Sequence, residues 1–77
     1  MPKITPVHWQ ILEKVFLAAG FRFSRQHGSH RSYVKPGVLR PVVIPTYDEI
    51  PVVIILNNLK TAGISREEYF HLLEKVR

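Results

Sequence analysis

Apolar side chains recur at helical spacing from Val7 to Ala19. At 100° per residue, Val7, Ile11, Leu12, Val15, Ala18 and Ala19 fall on one broad arc, with Trp9 and Phe16 at its edge. Gln10, Glu13 and Lys14 fall opposite. Thr5-Pro6 reads as the start of this helix, because Thr can accept from free backbone N–H groups and Pro at the first helical position loses no hydrogen bond. Gly20 ends it. His8 lies within the arc, in the expected first turn, and reads as a packing residue.

From Phe21 the period changes. Phe21-Arg22-Phe23-Ser24-Arg25 alternates apolar and polar residues, which predicts a strand with Phe21 and Phe23 toward the core. Arg25 shares their parity, but at the strand's end it can reach outward. His27-Gly28-Ser29 marks a turn, His30 to Val34 a second strand, and Lys35-Pro36-Gly37-Val38 a second turn. Leu39 to Ile44 reads as a third strand, ended by Pro45.

A second helix is expected near Pro51, with Val52, Ile55, Leu56, Leu59 and Ala62 as its apolar stripe and Gly63 as its stop. Val53 and Ile54 fall off that stripe. They are candidates either for a partner surface or for burial under the last helix. That short helix opens with Ser65 and Glu68 in a capping box and carries Tyr69, Leu72, Leu73 and Val76 on one face. The expected architecture is one α+β domain over residues 1–77. Its order is helix, three antiparallel strands, helix, short helix, with one sheet face buried by helices and the other left free.

Composition narrows the function classes. A chain of 77 residues buries only about 60% of its unfolded surface, so a shallow surface site is expected rather than a deep cleft. The net charge of +5 favours an anionic partner. The absence of cysteine removes disulfides, thiolate nucleophiles and Cys-ligated zinc. Met1 to Pro6 does not read as a signal peptide, and the longest apolar run, Ile50 to Leu56, is too short to span a bilayer. A cytoplasmic protein without membrane association is the expectation.

The charge is unevenly distributed. Gly20 to Pro45 carries Arg22, Arg25, Arg31, Lys35 and Arg40 and no Asp or Glu; all six acids lie outside it. In its middle stands Arg25-Gln26-His27-Gly28-Ser29-His30. An imidazole in a one-signed cationic field suits phosphodiester chemistry, since the field attracts phosphate and the imidazole moves a proton near neutral pH. Spacing alone leaves His30 open as an ordinary exposed turn residue. His27 reads as a surface turn residue. Arg25, Arg31, Lys35 and Arg40 are either phosphate contacts or a solvated rim. Gly28 permits close backbone approach, and Ser29 either donates to a phosphate oxygen or caps the turn. Tyr33 is expected to pack rather than stack on a base. His27 and His30 have a spacing seen in metal sites, but no third ligand accompanies them, so no metal or other cofactor is expected.

The chain resembles the HicA (YcfA-like) family of toxins from bacterial toxin–antitoxin pairs. The marks are Ala19-Gly20-Phe21, Arg25-Gln26-His27-Gly28-Ser29-His30, Val43-Ile44-Pro45 and Leu59-Lys60-Thr61-Ala62-Gly63-Ile64-Ser65. It departs from the family pattern at Tyr47, where relatives often have His, and at Val53-Ile54, where they often have Gly-Thr. The resemblance implies a fold like the double-stranded RNA-binding domain, α-β-β-β-α, with a three-stranded antiparallel sheet backed by two helices. It implies an mRNA interferase inhibited by a HicB-like antitoxin, with His30 in the place of the family's catalytic residue. Arg25, Gly28, Ser29, Arg31, Lys35 and Arg40 are then candidates for holding RNA phosphates. Two other readings remain: an RNA-binding module of the same fold without catalysis, and an interaction domain whose charge serves only an acidic protein.

Overall fold

The structure, a computed structural model, describes residues 3–77. Its elements run α1 (Trp9–Ala18), β1 (Arg22–His27), β2 (His30–Val34), β3 (Val42–Pro45), α2 (Val52–Ala62) and α3 (Arg66–Val76). The strands form one antiparallel sheet in the order β1-β2-β3. The expected α-β-β-β-α order and α+β class are therefore observed.

The start of α1 corrects the sequence reading. His8, not Thr5, is the N-cap: its Nδ1 accepts from the Gln10 N–H at 3.1 Å. The preceding residues stay extended because they have partners elsewhere. The Ile50 N–H donates to the Val7 carbonyl at 2.8 Å in an isolated antiparallel bridge, and the Trp9 N–H donates to the Tyr47 carbonyl at 3.1 Å. Ile4 and Val7 are buried by this strap. The end of α1 falls where expected. The Gly20 N–H donates to Leu17 and the Phe21 N–H to Phe16, a Schellman closure that needs the positive φ of Gly20, 97°. The accompanying apolar contact is the edge-to-face pair Phe16–Phe21, with ring centroids 5.4 Å apart.

The core lies between one sheet face and the helices. Leu12, Val15 and Phe16 of α1 meet Tyr33, Val42 and Ile44 of the sheet and Ile55 and Leu59 of α2. Each such side chain contributes about 1.5–3 kcal/mol by leaving water. α3 packs on α1 and adds Tyr69, Leu72 and Leu73. It covers the span expected of the last helix, opening after Ser65 and ending at Val76, with 11 residues, as many as α2. Its Ser65 cap is formed as the sequence predicts, accepting from the Glu68 N–H at 3.1 Å.

Three other expectations change. β3 begins at Val42, and Leu39 is fully exposed in the loop before it. Phe23 is 45% exposed rather than in the core, because β1 is an edge strand exposed along its whole length. On α2, Leu56 and Val53 face solvent while Ile54 packs partly against the core.

Candidate active site

The hairpin β1–β2 carries the site. Its register pairs Phe23 with Tyr33, Arg25 with Ser32, Gln26 with Arg31 and His27 with His30. Ser24 has no partner, so a β-bulge separates Phe23 from Arg25. The extra residue reverses the parity of everything after it. Tyr33 and Arg31 point toward the helices, and so do their partners Phe23 and Gln26. Arg25, His27, His30 and Ser32 therefore share the opposite face, which no helix among the described residues covers. Simple alternation through residues 21–25 gives Arg25 the wrong face; the bulge, invisible in the sequence, corrects it.

Gly28 and Ser29 form a two-residue turn. Gly28 has φ 61° while Ser29 keeps a negative φ, the pattern of the type II′ hairpin turn. The turn is held from both sides. Gln26 Nε2 donates to the Gly28 carbonyl at 2.9 Å, and the Thr46 N–H and Oγ1 donate to the Ser29 carbonyl at 2.8 and 3.1 Å. His30, next in the chain, also pairs with Pro45 of β3.

His30 is solvent-exposed. Among the described residues, carboxylates pair with only two other basic side chains: Asp48 with His8 at 3.8 Å and Glu13 with Arg31 at 3.0 Å. Among the described residues no carboxylate forms an ion pair with the exposed His30 imidazole. Also among the described residues, no three His, Asp or Glu side chains converge on a point that could hold a metal ion.

The candidate phosphate ligands divide. Arg25, Gly28 and Ser29 gather with His30 at the hairpin. Arg31 faces the helices instead and is fully engaged: Nε donates to the Tyr33 hydroxyl at 3.0 Å, Nη1 to Gln26 Oε1 at 2.8 Å and Nη2 to Glu13 Oε2 at 3.0 Å. Its guanidinium lies 4.2 Å from the Phe23 ring centroid and 5.3 Å from that of Trp9. The Tyr33 hydroxyl hydrogen-bonds Glu13 as well. Burial, with help from that carboxylate, pushes this hydroxyl up to about 12, and the bond to Tyr33 raises Arg31 further above its ordinary value. Tyr33 packs as expected, but its hydroxyl serves the cluster rather than solvent.

Lys35 is also occupied. It lies just beyond β2, and its Nζ donates to the Ala19 carbonyl at 2.8 Å, where the end of α1 favours a cation. Arg40 is exposed in the loop before β3 and lines a groove with Asn57, Lys60 and Thr61, away from the hairpin tip. His27, read from the sequence as a surface turn residue, is exposed and stands directly across from His30 on the last rung of the hairpin. A two-residue turn makes its flanking positions cross-strand neighbours, and Gly28-Ser29 carried that signal.

A protein-family model described as the HicA toxin of bacterial toxin–antitoxin systems matches residues 9–64. The chain belongs to the HicA toxin family. The HicA match runs from α1 through α2 and includes the whole hairpin, while α3 lies beyond it. Membership in a toxin–antitoxin family implies an antitoxin partner in general terms. Comparison with the curated proteins finds no match. No helix among the described residues of this HicA chain is long and apolar enough to cross a membrane.

Proposed function

We propose that this toxin is an endoribonuclease that cleaves mRNA, with His30 as a proton-transfer residue. The observation that carries the reading is an exposed imidazole on an uncovered, cationic sheet face, at the position where the family resemblance puts the catalytic His. RNA supplies its own nucleophile, the 2′-OH. A positioned His contributes roughly 10²–10⁴-fold by moving a proton in such a step. In this reading Arg25 stabilises charge that builds on the phosphate, and Ser29 and the Gly28 backbone approach it. The scheme requires no metal, and its dependence on the 2′-OH selects RNA over DNA.

The restraining partner is a HicB-like antitoxin with an acidic surface that covers His30 and competes with phosphate for Arg25. Arg31 and Lys35 act in this reading as supports of the hairpin and of α1, not as phosphate ligands. Arg40 is a contact for a more distant part of the strand.

The deciding experiment is expression in bacteria together with incubation of the pure protein with RNA. The parent is expected to arrest growth and cut RNA, and His30→Ala to do neither while still binding RNA. If His30→Ala cuts as fast as the parent, His30 has no part in catalysis. RNA binding without cleavage by the parent, at any pH or metal composition, favours the non-catalytic RNA-binding module.

A further inference from the structure

We propose that His27 is the second proton-transfer group of this site, working with His30 as an acid–base pair on one phosphodiester. The proposal rests on the reading of the chain as a ribonuclease and adds a residue that this reading leaves unused.

The geometry comes from the hairpin register. His27 and His30 are directly opposed on the last rung before the turn and share the uncovered face. Opposed residues of an antiparallel ladder have Cα atoms about 4.5–5.5 Å apart, so two imidazoles on one face reach the same small volume. Both are exposed. Their rung is unusually well held for a hairpin tip. Gln26 fixes the turn from the β1 side and Thr46 from the β3 side, and Gln26 is itself gripped by Arg31. Arg31 is anchored in turn to Glu13 of α1. The chain Glu13–Arg31–Gln26–Gly28 thus ties the rung that carries both residues to the body of the protein.

The charged surroundings suit the task. On β1, Arg25 lies one same-face step from His27, about 7 Å along the strand, and Arg22 lies further along. On β2 the same-face neighbour is Ser32. On β3, Val43 and Pro45 oppose Ser32 and His30 and carry no charge. Among the described residues no helix packs over this face, and the Asp48 carboxylate lies beside His8. A phosphate between Arg25 and the His rung would have one imidazole on each side.

The chemistry needs two such groups. The 2′-oxygen attacks phosphorus as one neutral imidazole takes the 2′-OH proton. The P–O5′ bond breaks as the other, an imidazolium, gives its proton to the leaving 5′-oxygen. The products are a 2′,3′-cyclic phosphate and a free 5′-hydroxyl, with one imidazole gaining the proton the other loses. No water, metal or oxidant is consumed. A lone imidazole serves only one of these transfers at a time.

The test compares cleavage of a short RNA across pH by the parent, His27→Gln and His30→Gln proteins. The parent rate is expected to rise and then fall with pH. His27→Gln is expected to lose one limb of that profile and at least about 100-fold in rate, with its urea unfolding midpoint unchanged. A second substrate carries sulfur in place of the bridging 5′-oxygen, so its leaving group departs without a proton. One of the two single variants should recover most of its rate there, which identifies the acid; a residue that only shapes the turn gives no such rescue. The pair is overturned if His27→Gln keeps the parental rate and both limbs, or if sulfur rescues neither variant. In either case an inactive His30→Gln leaves the ribonuclease reading standing. A parent protein that cuts no RNA removes that reading and the pair together.

Discussion

Arg31 follows His30 in sequence and lies on the other side of the sheet. That one step separates two kinds of basic residue in the same cationic segment. The guanidinium of Arg31 is held by three side chains and stacked on Phe23, so it acts as a clamp between β2 and α1. Its pair with Glu13 is mostly withdrawn from water, with both side chains about one-fifth exposed. Removing one member leaves the other charge poorly solvated. Arg31→Met is therefore expected to lower stability by about 3 kcal/mol, measured by urea unfolding. Adding Glu13→Gln to the same chain should return part of that loss, because the stranded carboxylate is gone. Unchanged stability in Arg31→Met would show that the clamp has no structural weight. None of this was readable in the segment, since Glu13 stands 18 residues away and meets Arg31 only after folding.

At the scale of elements, the β1–β2 hairpin sets His27 and His30 opposite each other in its register. Its turn depends on Gly28, whose φ of 61° costs an L-residue with a Cβ about 1–2 kcal/mol. A Cβ there meets no other atom within 4 Å, so the penalty is one of backbone conformation, not of crowding. Gly28→Ala is expected to lose about that much stability and to reduce cleavage, with the fold otherwise intact. Full activity and full stability in Gly28→Ala would mean the turn readily adopts another shape. The elements were legible in proportion to how local their causes are. The second strand, the Schellman stop at Gly20 and the Ser65 cap were readable, because each depends on residues within one or two turns of chain. The start of α1 was misread, because the strap before it bonds to residues near Tyr47 and Ile50, far along the sequence. The bulge at Ser24 and the exposure of Phe23 were hidden for the same reason: both depend on where β2 lies and on what covers the sheet edge. The site was half legible. His30, Gly28 and Ser29 are together as expected, whereas Arg31 and Lys35 are drawn away by partners that spacing does not reveal.

For the whole molecule, the five basic residues between Gly20 and Pro45 are not five free cations. Arg31 and Lys35 are already bonded within the protein, while Arg22, Arg25 and Arg40 are exposed. RNA affinity should fall with salt, by about 0.7 in the log–log slope for each phosphate contact on a single strand. With His30→Ala protein, so that RNA stays intact, Arg25→Gln is expected to reduce that slope by about one contact and Arg31→Gln to leave it nearly unchanged. Fluorescence anisotropy across salt concentrations reads both. Equal slopes for Arg25→Gln and its parent would remove Arg25 from the RNA path. The family match ends before α3, which packs on α1 and adds Tyr69, Leu72 and Leu73 to the core. Because β1 is exposed along its whole length, the working face has no wall at that edge. Under the proposed ribonuclease reading, a long transcript can cross that edge from either direction. On that reading, an open edge of this kind favours incision within a message over trimming from its ends.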